Sequence, residues 1–508
     1  MSAGPRQLGP RAAVALVFGS SAAVLVVELV ALRLLAPYLG LTLETNTLVI
    51  GIALAAIALG SWAGGRLADV VDPRRTIAPA LAVSGVATAL TPFVVRGVGA
   101  SGDPLLLMTA AAVSIIVPGA LLSAVTPMVT KLRLTDLAST GTVVGRLSGI
   151  GTAGSIVGTV LTGFVLVSRV PVSWILVGLG VALAVAALAV QVGLRVGRRG
   201  AVASGVPLLL VAGGGLAATV APGGCDAETT YHCASVETDP ERESGRILVL
   251  DGLRHSYVDL EDPTHLEFAY VQAMAAVVDT AYPSGEALRA YHLGGGGLTL
   301  PRYLDHVRPG TDSLVSEIDG GVLALDREEL GLETGDGIEV RVEDGRLALA
   351  DLPDASRDLV VGDAFGGVSV PWHLATREAI AEVRRVLTAD GTYVANVIDH
   401  GDLAFVRAEV ATVAAELRHV AVLGEPVDLA TGPDAAPDGG NFVVVASDAP
   451  LDLAPVRAAL GEGDSGWTTL AGADLEAWVD GADVLTDDHA PVDQLLEPYA
   501  APGSGSRR

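Results

Sequence analysis

Tyr291-His292-Leu293-Gly294-Gly295-Gly296-Gly297-Leu298-Thr299-Leu300-Pro301-Arg302-Tyr303-Leu304 decides the fold of the C-terminal half. Leu288 to Leu293 reads as a short buried strand. Four glycines interrupt it, and an amphipathic stretch with helical spacing follows. A strand that breaks at glycines and restarts as a helix is a cofactor-binding turn. Glycine has no Cβ, so the backbone can approach a ligand closely. About twenty residues on, Ser313 to Ile318 forms a second strand with Glu317 at its end, where a carboxylate can accept two hydrogen bonds from a ribose diol. The alternative is a glycine-rich loop with a solvated Glu. Strand, glycines, helix, strand and acid in that order favour a nucleotide-type site.

Downstream, strands are expected at Ile338 to Val342, before Glu343-Asp344-Gly345, and at Asp358 to Gly362, before Asp363. A helix from Trp372 to Leu387 leads to Asp390-Gly391 and a strand ending at Ile398. A helix over 402–417 and strands near 418–423 and 441–446 complete the pattern. Alternating strands and helices predict a mostly parallel, doubly wound sheet with helices on both faces. Ligands of such sheets bind at the carboxyl ends of the strands. Gly294, Gly295, Gly296, Gly297, Glu317, Asp344 and Asp363 all fall there, after different strands. Asp344 or Asp363 alone would more often be a helix cap. Upstream, Tyr231 to Val236, Arg246 to Leu250 and Ser256 to Leu260 read as short antiparallel strands, with a hairpin turn at Asp251-Gly252. A helix near His265 to Ala281 follows, with Leu266, Tyr270, Met274 and Val277 on one face.

The N-terminal half is of another kind. Seven stretches, roughly 13–32, 46–65, 77–95, 105–129, 148–168, 172–193 and 202–220, are apolar over the ~20 residues a bilayer crossing needs. Gly60, Gly64 and Gly65, and Gly149, Gly151, Gly154, Gly158 and Gly163, have the small-xxx-small spacing of packed membrane helices. Pro118 and Pro127 predict kinks. Glu28 lies within the first span, five residues before Arg33. It reads equally as part of a substrate or ion path and as half of a structural ion pair near the interface. Arginine and lysine set the orientation. Arg6, Arg11, Arg66, Arg74, Arg75, Lys131, Arg133, Arg146, Arg195, Arg198 and Arg199 flank one side, and only Arg33, Arg96 and Arg169 the other. This predicts a cytoplasmic N-terminus and, after seven crossings, an extracytoplasmic soluble half. The two cysteines, Cys225 and Cys233, stand just past the last span and suit a disulfide in an oxidising compartment. With only His232 nearby, a zinc site is a poor reading, and no metal cofactor is expected.

Charge divides the chain in the same place. After Gly224 stand 52 acids and 18 bases, a net charge of −34, which argues against a nucleic-acid partner. The domains read as 1–224, about seven transmembrane helices; 225–285, a β-hairpin subdomain with its linking helix; and 286–500, the doubly wound sheet.

Taken together, Asp251-Gly252, Leu293 to Leu304, Ser316-Glu317-Ile318-Asp319, Glu343-Asp344-Gly345, Asp358 to Phe365 and Pro371 to Glu378 resemble the spermidine synthases, or polyamine aminopropyltransferases. The whole chain looks like the bacterial membrane-fused spermidine-synthase-like proteins. The resemblance covers roughly residues 244–400. It implies a small N-terminal β-hairpin subdomain before a methyltransferase-like sheet. It also implies that the glycines and Glu317 hold the nucleoside of decarboxylated S-adenosylmethionine, or its methylthioadenosine product, that Asp344 faces the adenine amino group, and that Asp363 accepts a proton from the attacking amine. The chain departs from the family pattern at Gly366 and Tyr303, where the family has acids, at His255, near a family Gln, and at Val271-Gln272, where it has His-Glu. Three functions follow as expectations: a membrane-bound aminopropyltransferase acting on an amine or polyamine, a catalytically silent binding or transport module, and a methyltransferase using S-adenosylmethionine. The expected partners are the lipid bilayer and a small amine. The sequence leaves a homodimer and the identity of the acceptor open.

Overall fold

The computed structural model describes residues 8–39, 43–99, 104–134, 140–194 except 168, 225–365 except 333, 334 and 336, 370–430, 437–462 and 466–496. The chain divides into two units, residues 1–232 and 233–504.

The first unit is helical. Its helices are α1 (Pro10–Leu39), α2 (Leu43–Val70), α3 (Pro73–Gly99), α4 (Pro104–Ser123), α5 (Val125–Arg133), α6 (Thr140–Leu161, continued by a π-helical turn, Thr162–Leu166) and α7 (Val172–Leu194). A two-residue strand, β1 (Ala227–Glu228), lies near its end. Among the described residues, six helices are long and apolar enough to cross a membrane, α4 and α5 counting as one. The expected seventh span, 202–220, lies outside the described residues.

Small residues set the helix spacing, as expected, but not every glycine takes part. A Cβ on Gly60 or Gly64 of α2 would meet the backbone of Ala120 or Ala124 at 2.2 or 2.6 Å. One on Gly154 or Gly158 of α6 would strike the carbonyls of Phe18 or Ala22 in α1 at 2.3 or 2.6 Å. Gly149 and Gly163, grouped with them by spacing, face open space. Spacing places a residue on a stripe; it does not say which helix covers it. The two prolines of the fourth span also differ in effect. Pro118 stays inside α4, while the helix breaks at Ala124, just before α5. Pro127 lacks the N–H that would bond the carbonyl of Ser123, four residues back, so the interruption falls there.

The second unit starts with an antiparallel meander, β2 (Cys233–Thr238), β3 (Gly245–Leu250) and β4 (Leu253–Asp259). Asp251 and Gly252 turn the β3–β4 hairpin with φ of 53° and 82°, the left-handed pair that a tight hairpin requires. Helix α8 (Ala269–Ala281) leads into the alternating region: β5 (Arg289–Leu293), α9 (Thr299–Val307), β6 (Asp312–Glu317), α10 (Gly320–Glu328), β7 (Ile338–Val342), α11 (Gly345–Asp351), β8 (Arg357–Gly362), α12 (Arg377–Val386), β9 (Leu387–His400), α13 (Ala404–Glu416), β10 (His419–Gly424), β11 (Gly439–Ser447), α14 (Leu453–Glu462) and β12 (Thr468–Ala471). The sheet order is β12-β10-β11-β9-β8-β5-β6-β7. Strands β5 to β9 are parallel, and β10 to β12 add an antiparallel edge. This is the methyltransferase-like sheet expected from the sequence, with β12 as an unexpected extra strand.

One helix boundary needs correction. The expected helix from Trp372 to Leu387 begins only at Arg377. Thr376 caps it, its side chain accepting from the Ala379 N–H at 3.4 Å. Trp372 to Leu374 forms a separate 3₁₀ turn. The apolar core lies on both sheet faces. Tyr291, Val360, Tyr393, Phe405 and Phe442 fill one side; Ala290, Leu304, Leu359, Val394 and Val443 fill the other.

Candidate active site

Because β8, β5, β6 and β7 are parallel neighbours, their carboxyl ends form one rim, and all the candidate residues stand along it. The chain turns sharply at Gly294, with φ of 93°. A Cβ there would lie 2.3 Å from the Asp363 carbonyl oxygen. The Asp363 N–H donates to the Leu293 carbonyl at 2.9 Å, and the Gly294 N–H to that of Ser316 at 3.0 Å. The loop is thus sewn to the strand on each side.

The other glycines are explained in part by the hairpin that covers them. Added Cβ atoms on Gly296 and Gly297 would meet Ser256 of β4 at 2.7 and 3.0 Å. The Gly297 N–H donates to Ser256 Oγ at 3.0 Å, and Thr299 Oγ1 donates to the Tyr257 carbonyl at 2.8 Å. Close approach is what these glycines permit, as expected from the sequence, but here the approaching group is protein.

Glu317 closes onto the loop. Its Oε2 accepts from the N–H groups of Gly295 and Gly296 at 2.9 and 3.3 Å, and its Oε1 from that of Asp319 at 2.8 Å. These bonds fix the carboxylate and leave a lone pair on Oε1 for a further donor. Asp344 caps α11. Its Oδ1 accepts from the N–H groups of Arg346 and Leu347 at 2.9 and 3.1 Å. The capping role weighed for it in the sequence is therefore real, yet it occupies one oxygen. Oδ2 lies 3.3 Å from His373 Nε2. Tyr291 ties the rim together beneath these acids. Its hydroxyl donates to the Gly345 carbonyl at 2.8 Å and lies 2.9 Å from Ser316 Oγ.

Asp363 is partly buried. Burial pushes its carboxyl up to about 6, against the opposing pull of the donors Asn396 and Tyr270. Asn396 Nδ2 donates to Oδ1 at 3.0 Å, and the Tyr270 hydroxyl points at Oδ2 at 3.4 Å. Burial, with the neighbouring Asp363 charge adding to it, drives the Tyr270 hydroxyl far above its ordinary range, so it stays a donor. A base with a pKa near neutrality is matched to proton transfer at physiological pH. His255 of β4 faces the same region, its ring 6.2 Å from that of Phe365. Gly366, one of the departures from the family pattern, lies outside the described residues.

Sequence reasoning missed Asn396, Ser256 and His373. Asn396 carried a signal: a lone amide in the buried run Tyr393 to Ile398 needs a partner. Ser256 and His373 carried none, because their partners come from distant parts of the chain.

The chain matches no protein-family model. Part of it is similar to the polyamine aminopropyltransferase of Vibrio vulnificus, 29% identical over 149 residues, which is 28% of this chain and 49% of that one. The enzyme of the same name from Chromobacterium violaceum is 28% identical over 142 residues, 28% of this chain and 53% of the other. The chain thus spans about half the length of the curated relatives it matches. Among solved structures, a probable spermidine synthase from Corynebacterium glutamicum is 27% identical with a TM-score of 0.48, covering 51% of this chain and 95% of that one. The matching part of the chain is thus similar to polyamine aminopropyltransferases.

Proposed function

We propose that the protein transfers an aminopropyl group from decarboxylated S-adenosylmethionine to an amine or polyamine, and that its helical half holds it in a lipid bilayer. Asp363 carries the reading: it is a carboxylate pushed toward neutrality, set against the glycine turn and faced by two hydrogen-bond donors. An amine is protonated at neutral pH and cannot attack until it loses that proton. Asp363 attracts the cation and then takes the proton. The freed lone pair forms the new nitrogen–carbon bond, the carbon–sulfur bond of the sulfonium breaks, and methylthioadenosine leaves with the electron pair. Glu317 Oε1 supplies an acceptor for the ribose diol, and Asp344 Oδ2 an acceptor for an adenine amino group. Holding both reactants at one rim contributes the rest of the acceleration.

The helical half is read with its N-terminus in the cytoplasm and the soluble half outside. Supporting this, the segment after the last span is held by the Arg-poor end of the helices. Arg33 donates to the carbonyls of Thr229 and Tyr231, and Arg96 pairs with Glu228. Ser173, at the start of α7, donates its hydroxyl to Glu228 at 3.1 Å. Both cysteines are disulfide-bonded, which suits an oxidising compartment.

The test is product analysis with the full-length protein in detergent. Decarboxylated S-adenosylmethionine, S-adenosylmethionine and a panel of amines are supplied, and each amine is weighed by mass spectrometry afterwards. An aminopropyl increment is the expected result. A methyl increment makes the protein a methyltransferase, and nucleoside binding without any product makes it a receptor.

A further inference from the structure

We infer that Asn441 and Asn396 form a two-amide relay that positions Asp363, presenting its Oδ2 as the atom that takes the proton. The inference rests on the reading of Asp363 as the base. In the antiparallel β9–β11 pair, Asn396 stands opposite Val443, and Asn441 lies two residues before Val443 on the same face. Asn441 Nδ2 donates to Asn396 Oδ1 at 2.9 Å. Asn396 Nδ2 donates in turn to Asp363 Oδ1 at 3.0 Å. Asn396 is buried at 4% exposure in an otherwise apolar run of β9, where an unpaired amide would be costly.

An asparagine amide can sit either way round, and its neighbours decide which. With its oxygen held by Asn441, Asn396 has only its NH₂ to offer Asp363. Without Asn441 the amide is free to flip, bringing one oxygen against another. Asn441 therefore acts on Asp363 through Asn396.

The relay also separates the two carboxylate oxygens. Oδ1 carries a well-formed bond. Among the described residues, Oδ2 has only the 3.4 Å contact with Tyr270, long for an O–H donor. The arriving ammonium thus gives its proton to Oδ2. Among the described residues, the titratable groups on this side are Tyr270 from α8, against Asp363, and His255 from β4, against Phe365; β9 brings Asn396, which is uncharged. The glycine turn brings backbone alone.

Carbodiimide couples to protonated carboxyls, so the pH profile of labelling at Asp363 reads its titration, resolved by peptide mass spectrometry on the full-length protein. The wild-type midpoint is expected near 6. In Asn441→Leu it should rise by roughly one unit, a tenfold change in the protonated-to-ionised ratio at any fixed pH. The Asn396→Leu/Asn441→Leu double variant should match Asn396→Leu alone, because the second amide acts only through the first. An unchanged midpoint in Asn441→Leu, or shifts that add in the double variant, would overturn the relay. If the leucine variants do not fold, Asn441→Ser, which draws the donor out of reach, is read by the same criterion. Failure of the aminopropyl-transfer reading would appear separately, as absence of product from the wild type with the labelling midpoints unaffected.

Discussion

The residues of the rim divide by what holds them. Asp363 keeps its proton to about pH 6 in the folded chain and to about pH 4 when unfolded. The folded state therefore binds the extra proton between these values, and the Asp363 contribution to stability falls as pH rises through that window. Asp363→Asn has no such charge to bury. It should melt higher than wild type above pH 6 and close to wild type below pH 4, in melting curves followed by fluorescence. Glu317 is held by three backbone N–H groups and has acceptor capacity to spare. Glu317→Ala should weaken binding of methylthioadenosine by ~1–3 kcal/mol in a calorimetric titration; unchanged affinity would remove it from the nucleoside site. Glu317 and Asp363 were legible in the sequence because each follows a strand that can be recognised locally. Asn441, Ser256 and His373 were not, because their importance lies in contacts with residues distant in the chain, from Asp344 opposite His373 to Asn396 opposite Asn441.

At the scale of elements, the rim depends on the turn after β5. Gly294 combines a φ of 93° with a backbone oxygen where its Cβ would stand. Gly294→Ala should destabilise the second unit by ~1–3 kcal/mol or more, since strain and overpacking act together. It should also displace Asp363, whose carbonyl takes the collision, so activity should fall further than stability alone explains. Chemical denaturation beside turnover measures both. The strands and helices around this turn were legible because periodicity and glycine punctuation agree. Strand β12 was not. Thr468–Ala471 has four residues and no clear alternation, and its pairing with β10 at the sheet edge makes it a strand. The separate turn at Trp372 was hidden for the opposite reason: its residues continue a plausible helical pattern, and the start of α12 is set by the Thr376 cap.

For the whole molecule, the change from an apolar, mildly basic half to a strongly acidic one marks the division into two units before any motif is considered. The proposed orientation, with the soluble half outside, rests on the uneven distribution of arginine and lysine among the loops. A C-terminal alkaline-phosphatase fusion should be active, and a cytoplasmic reporter at the same point dark; the reverse would sink that orientation. The central claim, that this chain removes a proton from an amine at Asp363 and alkylates it, is tested most directly by turnover of the full-length protein beside its Asp363→Asn variant. Methylthioadenosine release is followed with decarboxylated S-adenosylmethionine and the best acceptor of an amine panel. The variant keeps the shape of the side chain and removes the base, so it should lose ~10²–10⁴ in rate while binding methylthioadenosine as the wild type does. Equal turnover by the two proteins would contradict the account.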